Sequence, residues 1–163
     1  MESDSPDYYL NRDINGKYSY YGTPYIADGF GVDDNVLIYG HCINYNEAFG
    51  KLLKFKRKDY FDKHKIIKFI YFSDSNKIIC DEYEIVSVLS LNIYEDDFRY
   101  WELIDLTKEE ATDLLNDAIK SKGLYLTTTV FEPKDKYIML STCDNEKGDG
   151  YRVVVVGKVI KES

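Results

Sequence analysis

A mainly β domain, closed or nearly closed into a barrel and carrying one longer helix, is predicted by three observations on this 163-residue chain. Its 16 tyrosines and 8 phenylalanines, with abundant Ile and Val and only 3 prolines, favour pleated over helical surface. Seven segments read as strands and are divided by turn signals. One well-capped helical stretch is inserted late among them.

The strand segments run near Ser19 to Ala27, Val36 to Gly40, Ile66 to Phe72, Lys77 to Leu91, Leu124 to Val130, Lys136 to Thr142 and Tyr151 to Ile160. Asp74-Ser75-Asn76, Glu132-Pro133-Lys134-Asp135 and Gly148-Asp149-Gly150 supply turns between them. The longer helix spans about 107–122. Thr107 caps it with Glu110 three residues on, Ala111, Leu114, Leu115 and Ala118 form its apolar stripe, and Gly123 stops it. Short helices are expected near 46–64, from Asn46 to Phe55 and from Asp59 to His64. With no internal repeat, low-complexity segment or linker, residues 1–163 read as a single domain. Barrel closure is expected because it removes sheet edges that would invite aggregation.

The formal charge of -8 argues against a nucleic-acid partner, because phosphate binding needs clustered Lys and Arg. The basic run Lys51 to Lys58 reads as a solvated helical face. No apolar run approaches the roughly 20 residues that span a membrane, and no signal sequence opens the chain, so a soluble chain is expected. The 3 cysteines are odd in number and make neither a CxxC pair nor a zinc pattern, so at least one thiol stays outside any intrachain disulfide.

The chemistry concentrates in the last hairpin, Ile138-Met139-Leu140-Ser141-Thr142-Cys143, a polar turn, and Tyr151-Arg152-Val153-Val154-Val155-Val156. Setting Cys143 opposite Arg152 pairs Thr142 with Val153 and Leu140 with Val155, which keeps apolar residues opposite one another. Directly opposed side chains share a face with Cβ atoms about 5 Å apart, and a one-residue slip would separate them. A nearby cation favours the thiolate that attacks carbonyls, and a guanidinium can also donate to an oxyanion. A buried structural cysteine beside a surface arginine is the competing reading. His41, after the apolar strand Val36 to Gly40, stands where a strand end presents side chains, and an imidazole there can act as general acid and base. His64, between two lysines, reads as solvated.

These residues resemble the sortases, cysteine transpeptidases of Gram-positive cell surfaces. The likeness rests on Gly40-His41, on Leu140-Ser141-Thr142-Cys143, and on Arg152-Val153-Val154-Val155-Val156-Gly157-Lys158-Val159-Ile160. Further blocks resemble class B of that family: Asp7-Tyr8-Tyr9-Leu10-Asn11, Gly16-Lys17-Tyr18-Ser19, Phe49-Gly50-Lys51-Leu52 and Tyr60-Phe61-Asp62-Lys63-His64. The helix from Thr107 lies where class B sortases carry one.

The resemblance implies a sortase-like barrel and a mechanism. Cys143 would attack the threonine carbonyl of a sorting signal, in class B resembling Asn-Pro-Gln-Thr, with His41 as acid and then base and Arg152 holding substrate and oxyanion. Peptidoglycan or a pilin amine would resolve the thioester, and the resemblance implies no metal and no cofactor. Ser141 and Thr142 are expected to line the substrate groove, Tyr100 and Tyr94 are candidate pocket aromatics, and Asp144 is a candidate either for orienting His41 or for starting the turn. The full-length protein would work on the extracytoplasmic face of the membrane. Its membrane anchor, N-terminal helical segment and first strand are expected to be missing from this chain, which would expose a sheet edge. Two positions depart from the family pattern: Met139 stands where the motif usually has Thr, and Cys42 where Asn commonly follows the histidine. Cys42 should point away from His41 as a packed thiol. Two other readings keep the fold: a scaffolding or binding module without catalysis, and a plain cysteine peptidase.

Overall fold

Val153 to Val156 places four β-branched residues in succession, and such a run is stable only in a strand covered on both faces. In the computed structural model, which describes residues 8–32, 34–44 and 46–162, all four are fully buried. The strands are β1 (Tyr25–Ile26), β2 (Val36–Tyr39), β3 (Cys42–Asn44), β4 (Glu47–Ala48), β5 (Ile66–Phe72), β6 (Ile78–Asn92), β7 (Tyr137–Cys143) and β8 (Tyr151–Lys161). The α-helices are α1 (Lys58–Lys63) and α2 (Lys108–Lys122), and 3-10 turns cover Tyr8–Asn11, Phe49–Lys56 and Tyr100–Asp105.

Six strands form one sheet in the order β1-β2-β7-β8-β6-β5, and β3 and β4 form a separate hairpin. All neighbours in the large sheet are antiparallel except β2 and β7, which run parallel. The long β6–β8 ladder shifts register at Glu82/Tyr83 and Ile85/Ser87. Such bulges bend and twist a strand. The sheet is a strongly curled half-barrel. It is therefore nearly closed rather than closed, with β1 and β5 as its edges.

Both faces of the sheet are packed. On one, Leu37, Met139, Val154 and Val156 meet Ala111, Leu115, Ala118 and Ile119 of α2 and Leu103 of the third 3-10 turn. On the other, Val153 and Val155 meet Leu52, Leu53 and Phe55 of the second 3-10 turn and Phe61 of α1. α2 starts at the predicted Thr107, whose hydroxyl accepts from the Glu110 amide while the Glu110 carboxylate accepts from the Thr107 amide. Leu114 is exposed, so the buried stripe runs instead through Ala111, Leu115, Ala118 and Ile119.

Several elements differ from expectation for local reasons. The strand expected near Ser19 to Ala27 shrinks to Tyr25–Ile26, because Gly22 takes a left-handed conformation at φ 61 and Pro24 has no amide to donate. Leu124 to Val130 forms no strand. Its entry pairs briefly with β6 through Leu124 N–H to the Val88 carbonyl at 2.8 Å. Its exit is then taken by α2, where the Asn116 side chain both accepts from the Phe131 amide and donates to its carbonyl, each at 2.9 Å. The helix expected from Asn46 to Phe55 is replaced by β4 and the 3-10 turn Phe49–Lys56. Asp7, first residue of one class B-like block, lies outside the described residues.

Candidate active site

The hairpin register is the predicted one: Cys143 faces Arg152, Thr142 faces Val153 and Leu140 faces Val155. On the opposite side of β7, β2 runs parallel with Val36 to Tyr39 matched to Ile138 to Ser141. The alignment persists beyond the strand, since the Gly40 amide donates to the Ser141 carbonyl at 3.1 Å and Thr142 Oγ1 donates to the Gly40 carbonyl at 2.8 Å. At the next residue the chain leaves this ladder, and the His41 carbonyl accepts from the Phe49 amide at 3.1 Å. Cys143 and Arg152 thus occupy one row across β7 and β8, neighbouring strands whose spacing in a sheet is about 4.8 Å, and His41 lies two residues past the end of β2 on the other side of β7. Adjacent residues in such a row project to one face.

Below this row lies a cavity of about 300 Å³ lined by Cys143, Arg152, Ser141, Thr142 and Tyr100, with Tyr25, Tyr39 and Trp101 among its aromatic walls. The first five are candidate site residues from the sequence, and Leu10, Gly40 and Ile93 complete the lining. His41 is half-buried at the rim and is not part of the lining. The aromatic walls come from three separate elements and were not anticipated. They form a tilted series, Tyr25 to Tyr39 at 5.6 Å and Tyr39 to Tyr100 at 6.4 Å between ring centroids, closed by the edge-on pair Tyr100–Trp101 at 5.1 Å. Tyr94 is exposed and packs on the turn beside Gly150, away from the cavity.

Tyr100 is almost wholly buried, and its hydroxyl shares a 2.8 Å hydrogen bond with Ser141 Oγ. Burial raises the phenol above its ordinary pKa, opposed by the Ser141 hydrogen bond and the Arg152 charge, so Tyr100 stays protonated at neutral pH. The Arg152 guanidinium is anchored by Nη1 donating to the Tyr151 carbonyl at 2.9 Å. Asp144 is fully buried, and its Oδ2 accepts from Lys56 Nζ at 2.7 Å. Its carboxylate is thus committed to Lys56 rather than to His41. Its backbone does start the turn, with the Lys147 amide donating to the Asp144 carbonyl at 3.1 Å.

Cys42, in β3, is buried in the apolar cluster with Leu52, Leu53 and Phe55, against which Cys143 also packs, as expected for a packed thiol. Burial raises its pKa first and the Cys143 thiol adds to this, so Cys42 stays neutral. Among the described residues no disulfide links Cys42, Cys80 or Cys143. His64 is exposed and stacks on Tyr60 at 3.9 Å, in keeping with a solvated role. Within the basic run, Arg57 pairs with Asp59, Lys58 with Asp62, and Lys54 donates to Asn46. Among the described residues no helix is long and apolar enough to cross a membrane.

Gly40 holds the approach to His41. A Cβ there would lie 2.4 Å from the Phe49 ring, and Phe49 in turn donates its amide to the His41 carbonyl at 3.1 Å. Gly40→Ala is expected to cost about 1–3 kcal/mol through overpacking, read as a lowered thermal midpoint.

No family model matches the chain. Sortase B of Listeria monocytogenes is 29% identical to it over 166 residues, covering 98% of this chain and 63% of the relative. Sortase B of Staphylococcus aureus is 25% identical over 159 residues, covering 95% and 62%. The chain therefore spans a little under two thirds of the length of these curated relatives. Among solved structures, a mutant form of Clostridium perfringens sortase B superposes with a TM-score of 0.79 at 23% identity, over 99% of this chain and 74% of that one. The Staphylococcus aureus sortase B–substrate complex superposes with a TM-score of 0.76 at 23% identity, over 99% and 72%. At these identities the superpositions establish the fold. Taken with the sequence likeness along nearly its whole length, they show a chain similar to the class B sortases in sequence and fold.

Proposed function

We propose that residues 1–163 form a catalytic domain that works as a cysteine transpeptidase on C-terminal sorting signals. The observation that carries this reading is the opposed pair Cys143 and Arg152 lining an apolar cavity, with His41 two residues past the end of the strand that flanks β7. Cys143 Sγ attacks the carbonyl carbon of a threonine in an Asn-Pro-Gln-Thr-like segment. A C–S bond forms, the tetrahedral intermediate collapses with rupture of the C–N bond, and His41 gives its proton to the departing amine. His41 then takes a proton from an incoming amine, which attacks the thioester and expels the thiolate. Arg152 donates to the oxyanion in both halves, where fixed donors act strongly because water is excluded. The cavity's apolar, aromatic walls suit an extended peptide segment more than a charged one. Peptidoglycan or a pilin lysine is the proposed acceptor, at the outer face of a Gram-positive membrane.

The test incubates the chain with a small panel of sorting-signal peptides, with and without triglycine, and reads the products by mass spectrometry. The expected result is cleavage after Thr, with triglycine joined to the new C-terminus. Hydrolysis that ignores added amine would favour a plain peptidase, and no processing of any peptide would favour a binding module.

A further inference from the structure

Lys56 is the last residue of the 3-10 turn Phe49–Lys56, whose Leu52, Leu53 and Phe55 are buried against Val153 and Val155 of β8. That packing fixes the base of the turn on the sheet, and the Phe55 carbonyl is further tied down by the Tyr125 hydroxyl at 3.0 Å. From its end Lys56 reaches across 88 positions of sequence to Asp144 Oδ2 at 2.7 Å and to Glu146 Oε2 at 3.3 Å. The Asp144 side chain is 0% exposed and that of Lys56 only 22%. Asp144 Oδ1 is buried and has no hydrogen-bond partner among the described residues. A carboxylate taken wholly out of water is tolerated only with a close counter-charge, and Lys56 is that charge. Burial alone would depress the ammonium, but Asp144 and Glu146 outweigh it and hold Lys56 above the ordinary lysine value.

The turn gripped in this way is bonded next to both residues proposed to act with Cys143. The Asp144 amide donates to the Tyr151 carbonyl at 2.9 Å, immediately beside Arg152. Asn145 Nδ2 donates to the Cys42 carbonyl at 3.1 Å, immediately beside His41. Cys143 itself is the residue before Asp144. We propose that Lys56, acting through Asp144, is a positioning residue that locks the turn after β7 and so holds Cys143 in position relative to His41 and Arg152. The functional half of this inference rests on the reading of Cys143 as nucleophile. Lys56 touches no substrate in this scheme.

Four variants test it: Lys56→Arg, Lys56→Met, Asp144→Asn, and Lys56→Met with Asp144→Asn. Small losses of alignment are costly in covalent catalysis, so Lys56→Met should lower kcat by about 10–100-fold with KM within about twofold. Lys56→Arg should recover most of the rate, since it restores a cation within reach of the carboxylate. The double variant removes the stranded charge and should return the thermal midpoint to near that of the parent while kcat stays low. Hydrogen exchange at the amides of residues 144–147 should quicken in Lys56→Met. A double variant with parental kcat, or unchanged exchange across that turn in Lys56→Met, would overturn the proposal. Amide exchange needs no turnover, so it decides the clamp independently of Cys143→Ala, whose survival as an active enzyme would sink the nucleophile reading instead.

Discussion

Cys143→Ala is expected to lower the rate of sorting-signal cleavage by about 10⁵-fold or more, the scale seen when a covalent enzyme loses its nucleophile. The thiol is half-buried at the end of β7 and forms the end of the cavity wall, so the substitution removes one small group without opening a core void. Its cost in stability should be about 1 kcal/mol or less, so a thermal melt of the variant separates loss of chemistry from loss of fold. Cys42→Ala is the matched control. Cys42 lies in the separate β3–β4 hairpin, outside the cavity lining, and is held neutral by burial, so its removal should leave most of the cleavage rate. Iodoacetamide should modify Cys143 well before Cys42 at neutral pH. Cleavage that persists in Cys143→Ala would end the assignment of nucleophile.

What could be read from the chain was whatever local pattern and ladder pairing determine together. The Cys143–Arg152 register was legible because only that pairing sets Thr142 against Val153 and Leu140 against Val155, and the short polar turn permits it. The bounds of α2 were legible because Thr107 and Glu110 announce a capping box. Features assembled from distant segments were not. Tyr25, Tyr39 and Trp101 meet only after β1, β2 and the 3-10 turn Tyr100–Asp105 have been brought around one cavity, and nothing in their immediate sequence marks them. Lys56 was absorbed into a basic run with the look of a solvated face. Its neighbours do pair with nearby acids, but the 3-10 geometry of Phe49–Lys56 turns this one lysine toward Asp144. Leu124 to Val130 has strand-like composition, yet Asn116 offers the Phe131 backbone both hydrogen bonds that a ladder would have supplied. Local propensity yields there to a tertiary contact.

Arg152→Ala is expected to lower kcat/KM for the same peptides by about 10²–10³-fold, a loss of roughly 3–4 kcal/mol of transition-state stabilisation. Two features of the chain hold the guanidinium where such a donor must be. β8 is pinned on both sides, by β7 and β6, with Leu91 opposite Arg152 on the β6 side, so its register cannot slip without disrupting two ladders. Nη1 is spent on the Tyr151 carbonyl, which fixes the plane of the fork and leaves the remaining N–H groups for the cavity that Arg152 lines. The effect should fall on kcat more than on KM, because the oxyanion carries full charge only in the tetrahedral state. Arg152→Lys is expected to recover little, since an ammonium keeps the charge but not the planar set of donors. In the proposed mechanism three side chains act on one tetrahedral centre, which makes their losses non-additive. Adding Arg152→Ala to His41→Ala should cost much less than the product of the two single effects, because residues that act as a unit cannot be removed twice. Fully multiplicative losses in that pair would mean that His41 and Arg152 serve separate steps and that the three residues are not one catalytic unit.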